Sequence, residues 1–130
     1  MPDIISPPNA RRRFSSDDLF TQDQRAALLA NGRRSAAGDD IDPHPVAKLF
    51  TPDANATWLL TELEPHEPDR AFGLCDLGLG SPELGYVSLS ELRALRGPLG
   101  LPVEVDLGFV ADRPLSNYAV VSRHIGRIDV

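Results

Sequence analysis

The chain has 130 residues, a net charge of −6, 42% hydrophobic residues and 25% charged residues, values that fit one soluble domain with a real core. No stretch approaches the roughly 18 to 20 apolar residues of a membrane helix. The start, "MPDIISPPNARRRF", has neither an apolar h-region nor a small-residue cleavage site, so it does not read as a secretory signal. The lone Cys75 excludes an internal disulfide and suits a reducing, cytoplasmic setting, where it reads as a small hydrophobe in a strand.

The charge is uneven. Residues 1–34 carry six Arg against four Asp, whereas residues 39–83 carry ten acids against only Lys48 and Arg70, and residues 84–130 balance five against five. A negative field of this kind repels nucleic-acid phosphates and favours basic partners, although solubility alone also accounts for it.

Residues 1–18, with "SPPN", "RRR" and "SSDD", lack apolar periodicity and read as a flexible arm preceding a single domain over 19–130. "TQDQRAALLANG" (21–32) is a helix with a Thr21/Gln24 capping box, expected to end at Asn31-Gly32. "GDDIDPHP" (38–45) is a loop. Strands are expected at 46–50, 57–63, 71–77 and 84–89, with "EPHEPDR" as a link and "GLGSPE" as a hairpin turn. Ser88 and Glu91 form a second capping box for a helix that stops at Gly97-Pro98. "PVEVDLGFV" (102–110) alternates like a half-exposed strand. Pro114 opens a closing helix, "PLSNYAVVSRHI".

Short links between strands favour antiparallel pairing. The expected fold is α+β: a mainly antiparallel sheet of about four or five strands with helices packed on one face.

The segments "KLFTPDANATWLLTELEP", "DRAFGLCDLGLGSPELGYVSLSEL" and "GLPVEVDLGF" resemble the bacterial family called domain of unknown function 2958, over roughly residues 20 to 122. The resemblance implies a small protein of plasmids and integrative elements in a bacterial cytoplasm. It brings no catalytic residues to carry over.

Candidate chemistry is sparse. His44 beside Asp40 and Asp42, and His66 among Glu64, Glu67 and Asp69, supply donors of the kind zinc or manganese accepts, which would make a metal-assisted hydrolase. Neither has helical ligand spacing, and exposed loop histidines are the commoner outcome, so no metal is assigned. Ser81 is followed by Pro in a turn and fails as a nucleophile elbow. "GLGLGSPELG" lacks the Lys-Ser/Thr and the helix of a phosphate-binding loop. No motif calls for a cofactor.

What remains is the sheet. Placing Glu62 opposite Phe72 sets Trp58 opposite Asp76, on the face of Leu60 and Leu74, and brings Tyr86 near Cys75 or Asp76. Lys48, Trp58, Glu62, Asp76, Glu83 and Tyr86 are then the candidate binding residues, since aromatics beside a fixed acid give contact area at low entropy cost. The plainer reading has Trp58 and Tyr86 filling the core and Asp76 capping its turn. The function expected is a non-enzymatic accessory module that binds a protein partner. A narrower version is an inhibitor of a nucleic-acid-processing defence enzyme. Direct nucleic-acid binding has only Arg11 to Arg13 in its favour.

Overall fold

The computed structural model describes residues 19–130, so the expected arm over 1–18 lies outside the described residues. Helix α1 (Gln22–Ala36) precedes strands β1 (Ala47–Phe50), β2 (Thr57–Glu64), β3 (Glu67–Asp76) and β4 (Glu83–Ser88). Helix α2 (Leu89–Ala94), strand β5 (Glu104–Val105) and helix α3 (Leu115–Ile125) complete the chain. The five strands form one antiparallel sheet in the order β4-β3-β2-β1-β5. The α+β class and the antiparallel meander are as the turn signals require.

The helices, however, divide between the two faces. Phe20, Leu28 of α1, and Leu89 and Leu92 of α2 pack with Trp58, Leu60, Leu63 and Ala71. Leu115, Tyr118 and Ala119 of α3 pack with Leu59 and Leu74 on the other side. The run "WLLTEL" (58–63) has no polar alternation because both its faces are covered, which is what a doubly buried strand requires. Each fully buried leucine or phenylalanine here contributes about 1.5–3 kcal/mol of transfer free energy.

A β-bulge decides which side chain goes to which face. The β2–β3 register runs Trp58↔Cys75, Leu59↔Leu74 and Leu60↔Gly73, then shifts to Glu62↔Phe72. Thr61 is the extra residue, and an extra residue reverses the facing of everything beyond it. Its side-chain hydroxyl donates to the Phe72 carbonyl (3.3 Å), and its own carbonyl accepts from Asn31 Nδ2 (2.9 Å). The expected placement of Trp58 opposite Asp76, and of Leu60 beside Leu74, is therefore overturned. Thr57 stands opposite Asp76.

Gly32 does not end α1. The helix continues to Ala36, with the capping box of Thr21 and Gln24 in place at its start. Strand β1 pairs with β2 no further than Ala47↔Leu60, and α1 covers the β2 backbone beyond that point. A Cβ on Gly32 would lie 1.8 Å from the Leu63 carbonyl oxygen, so glycine serves close approach here.

Three further boundaries differ from expectation. α2 ends at Ala94, short of the expected stop at Gly97-Pro98. β3 begins at Glu67, so the 64–70 link shrinks to a tight turn at Pro65-His66. The expected strand over 102–110 joins the sheet only at Glu104 and Val105, with Pro102 bridged separately to Arg96, because Asp106 Oδ1 accepts from the Gly108 amide (3.0 Å) and turns the chain away. Nearby, Asp53 Oδ2 accepts from the Leu99 and Leu101 amides at 2.7 and 3.4 Å, clipping the β1–β2 turn to the 97–101 loop.

Candidate functional site

The six sequence-derived candidates do not form one neighbourhood. Trp58 is 3% exposed and belongs to the core under α1 and α2. Its removal from any binding surface follows from the bulge, which points it away from Asp76.

Lys48 and Asp76 share a cleft of about 640 Å³ between the β1–β2 turn, the β3–β4 turn and residues 126–128. Both are committed to holding the chain together. Asp76 is 2% exposed; Oδ1 accepts from the Gly78 amide (2.8 Å) and Oδ2 from the Ile128 amide (2.9 Å). Gly78 takes a positive φ of 80°, which lets it close this Asp-x-Gly turn without strain. Asp76 thus pins the segment after α3 to the end of β3. Lys48 Nζ donates to the Val130 backbone oxygen (2.8 Å) and pairs with Asp106 Oδ2 at 3.3 Å.

Glu83 is exposed and stands opposite Cys75, so it lies on the other face from Asp76. Burial pushes the Cys75 thiol up to about 11, leaving it protonated and unreactive near neutral pH.

Glu62 and Tyr86 do come together, through Phe72. Glu62↔Phe72 and Phe72↔Tyr86 are successive cross-strand pairs and line a hollow of about 140 Å³ with Gly32 and Pro65. Tyr86 is 57% exposed. Its ring meets Phe72 edge-on at 5.1 Å, and the Arg70 guanidinium lies over it at 3.9 Å from the centroid. Guanidinium stacking holds the ring outward at low entropy cost. The expected proximity of Tyr86 to Cys75 or Asp76 is corrected to Phe72.

Tyr86 sits on β4, a terminal strand of the sheet. Asp106 N bonds to the Lys48 carbonyl and Thr51 N to the Ala56 carbonyl. Carried across the registers, the alternation has Gly85 and Val87 pairing with β3, while Leu84 and Tyr86 turn their backbone groups to the open side.

Asp69, close to His66 in sequence, acts as a helix cap and not as a metal donor. Its carboxylate accepts from Ser88 Oγ (2.8 Å), Ser90 N (2.8 Å) and Ser90 Oγ (3.0 Å). The Ser88 hydrogen bond foremost, with those from Ser90 and the Arg93 charge, holds its carboxyl below the ordinary carboxylate range. Ser88 Oγ in turn accepts from the Glu91 amide (3.3 Å). Asp42 does the same for α3, accepting from the Ser116 amide (3.1 Å) and hydroxyl. His44 and His66 are exposed. Among the described residues no three His, Cys, Asp or Glu side chains are grouped to hold a metal ion. Nor, among them, is any helix long and apolar enough to cross a membrane.

Sequence reasoning missed Arg70 and Leu84 as surface partners of Tyr86. The signal available was the two-residue alternation of "RAFGL" against "ELGYVS", which puts Arg70 and Phe72 on one face with Tyr86 once the hairpin register is known.

No curated protein and no solved structure matches the chain. A family model described as "Protein of unknown function (DUF2958)" matches residues 19–129. The chain belongs to the DUF2958 family.

Proposed function

We propose that the chain is a non-enzymatic protein-binding module, an accessory protein of a bacterial mobile element acting in the cytoplasm. The observation that carries this reading is the exposed Tyr86, held between Phe72 and Arg70 on a terminal strand. Tyr and Arg dominate the energetics of protein contacts, and a ring fixed before binding loses little freedom on contact. The acidic middle of the chain directs the choice toward a basic partner. A basic groove of a nucleic-acid-processing defence enzyme has that chemistry, so inhibition of such an enzyme is the narrower form of the reading. The acids of the 640 Å³ cleft serve the fold, and the separated, exposed His44 and His66 give a metal-assisted hydrolase no specific support.

The test is photocrosslinking in cells carrying the native element, with a benzophenone amino acid placed at Tyr86 or at Val110, which is 86% exposed and far along the chain. One discrete protein adduct from position 86, absent from position 110 and weakened by salt, is expected. Equal adduct patterns from both positions, or none from 86, would contradict the reading.

A further inference from the structure

We propose that the open side of β4 takes an extended segment of a basic partner as an added strand of the sheet. This deepens the protein-binding reading above and rests on it. The argument begins with the edge itself. Natural sheets protect terminal strands with proline, inward charge, bulges, shortness or a covering element. β4 is six residues long, contains no proline or lysine, and pairs with β3 without a register shift. Among the described residues no strand pairs with its other side.

The backbone groups of Leu84 and Tyr86 face that open side, and their side chains, 40% and 57% exposed, share one face beside it. Gly85 between them has no atom within 4 Å of where a Cβ would stand. An incoming strand therefore meets N–H and C=O groups that no strand among the described residues takes, flanked by an aliphatic and an aromatic side chain. Those are the two components of strand addition: main-chain bonds for affinity, alternate side chains for selectivity.

Charge selects the occupant. Exposed Glu83 marks one end of β4, and exposed Glu67 and Glu91 mark the other. A second copy pairing antiparallel about Gly85 places Leu84 opposite Tyr86 of the other copy, which is favourable. The same pairing carries each Glu83 toward the end where Glu67, Asp69 and Glu91 outnumber Arg70 and Arg93, and the excess of like charge there is costly. A segment with an apolar centre and Lys or Arg on both flanks meets that same excess as an attraction.

The probe is a displayed library of random octapeptides selected against the full chain, followed by amide hydrogen exchange of the chain with and without the enriched peptides. Enriched sequences with basic flanks and an apolar centre are expected to slow exchange at Leu84 and Tyr86 at least tenfold. N-methylation of alternate peptide amides should weaken binding tenfold or more, as should Leu84→Lys in a variant whose melting curve is unchanged. Peptides that protect the cleft amides of Gly78 and Ile128 would overturn strand addition and leave the protein-binding reading standing. A library that yields no enriched peptide would count against both. A dimer by light scattering whose β4 amides are protected would show the edge already filled by a second copy and overturn the proposal.

Discussion

The two edges of the sheet are opposites. At the β5 edge, pairing lasts two residues, Pro102 precedes it and the Asp106 turn ends it. Lys48 is engaged with Val130 and Asp106, and Asp53 Oδ2 with Leu99 and Leu101. At the β4 edge, a six-residue strand without proline or bulge presents Leu84 and Tyr86 to solvent. The difference teaches that a fixed carboxylate is a poor guide to function in this chain. Where an acid is most deeply buried, as Asp76 is, it holds the fold; the surface proposed to meet a partner is the one whose side chains are left exposed.

The sharpest way to break this contrast is at one cross-strand pair, Gly73↔Gly85. A Cβ on Gly73 would stand 2.0 Å from the Leu59 carbonyl oxygen, whereas one on Gly85 meets nothing. Gly73→Ala is expected to cost about 3 kcal/mol or more through backbone displacement. Gly85→Ala should be neutral or stabilising by roughly 0.5 kcal/mol. Urea titration of both variants checks this, and similar midpoints would mean the two sides of β3 are equally open.

Next in size is Asp76→Ala. It strands the amides of Gly78 and Ile128 and is expected to cost about 1–3 kcal/mol, with the segment after α3 loosened. A catalytic or ligand-binding Asp76 would instead leave stability unchanged or raised on replacement, as strained functional carboxylates do. On the other edge, Leu84→Lys should move stability by no more than about 0.5 kcal/mol while weakening binding of the proposed strand tenfold or more; a large drop in melting temperature would place Leu84 in the core.

The smallest expected effect belongs to Asp69. Its folded-state carboxyl lies below the ordinary carboxylate range because Ser88, then Ser90 and Arg93, favour the charged form. A depressed carboxyl contributes stability that is full above the unfolded value and lost as pH falls through the folded one. Thermal melts of the wild type should therefore decline below about pH 4 more steeply than those of Asp69→Asn. Parallel curves would show that the Asp69 cap contributes nothing through its charge.

Much of this fold was legible because local signals agreed with it. The Thr21/Gln24 box, the short strand links and Pro114 at the start of α3 each have a physical reason readable in sequence. The failures share another cause, which is that the deciding contact lies far along the chain. Gly32 looks like a helix terminator until Leu63 is seen packed against it. Thr61 looks like any strand residue, and only its bonds to Phe72 and Asn31 reveal the bulge. One shifted residue then sent Trp58 inward and parted Asp76 from the rest of the candidate site. Within that site, Glu62 and Tyr86 were brought together by Phe72, and the others were not. The alternation of residues 103–109 was genuine but short-range, and the Asp-Leu-Gly turn at 106–108 outweighed it. The same tripeptide at 76–78 makes the same carboxylate-to-glycine-amide bond, a repeat that marks both acids as turn formers.

The central claim, that the chain's committed acids and its open edge lie in different places, is tested most directly by residue-resolved amide exchange of the free protein at neutral pH. The account predicts slow exchange at Gly78 and Ile128, bonded to Asp76, and exchange near the solvent rate at Leu84 and Tyr86. Strong protection of Leu84 and Tyr86 in the free monomer, or rapid exchange at Ile128, would contradict it.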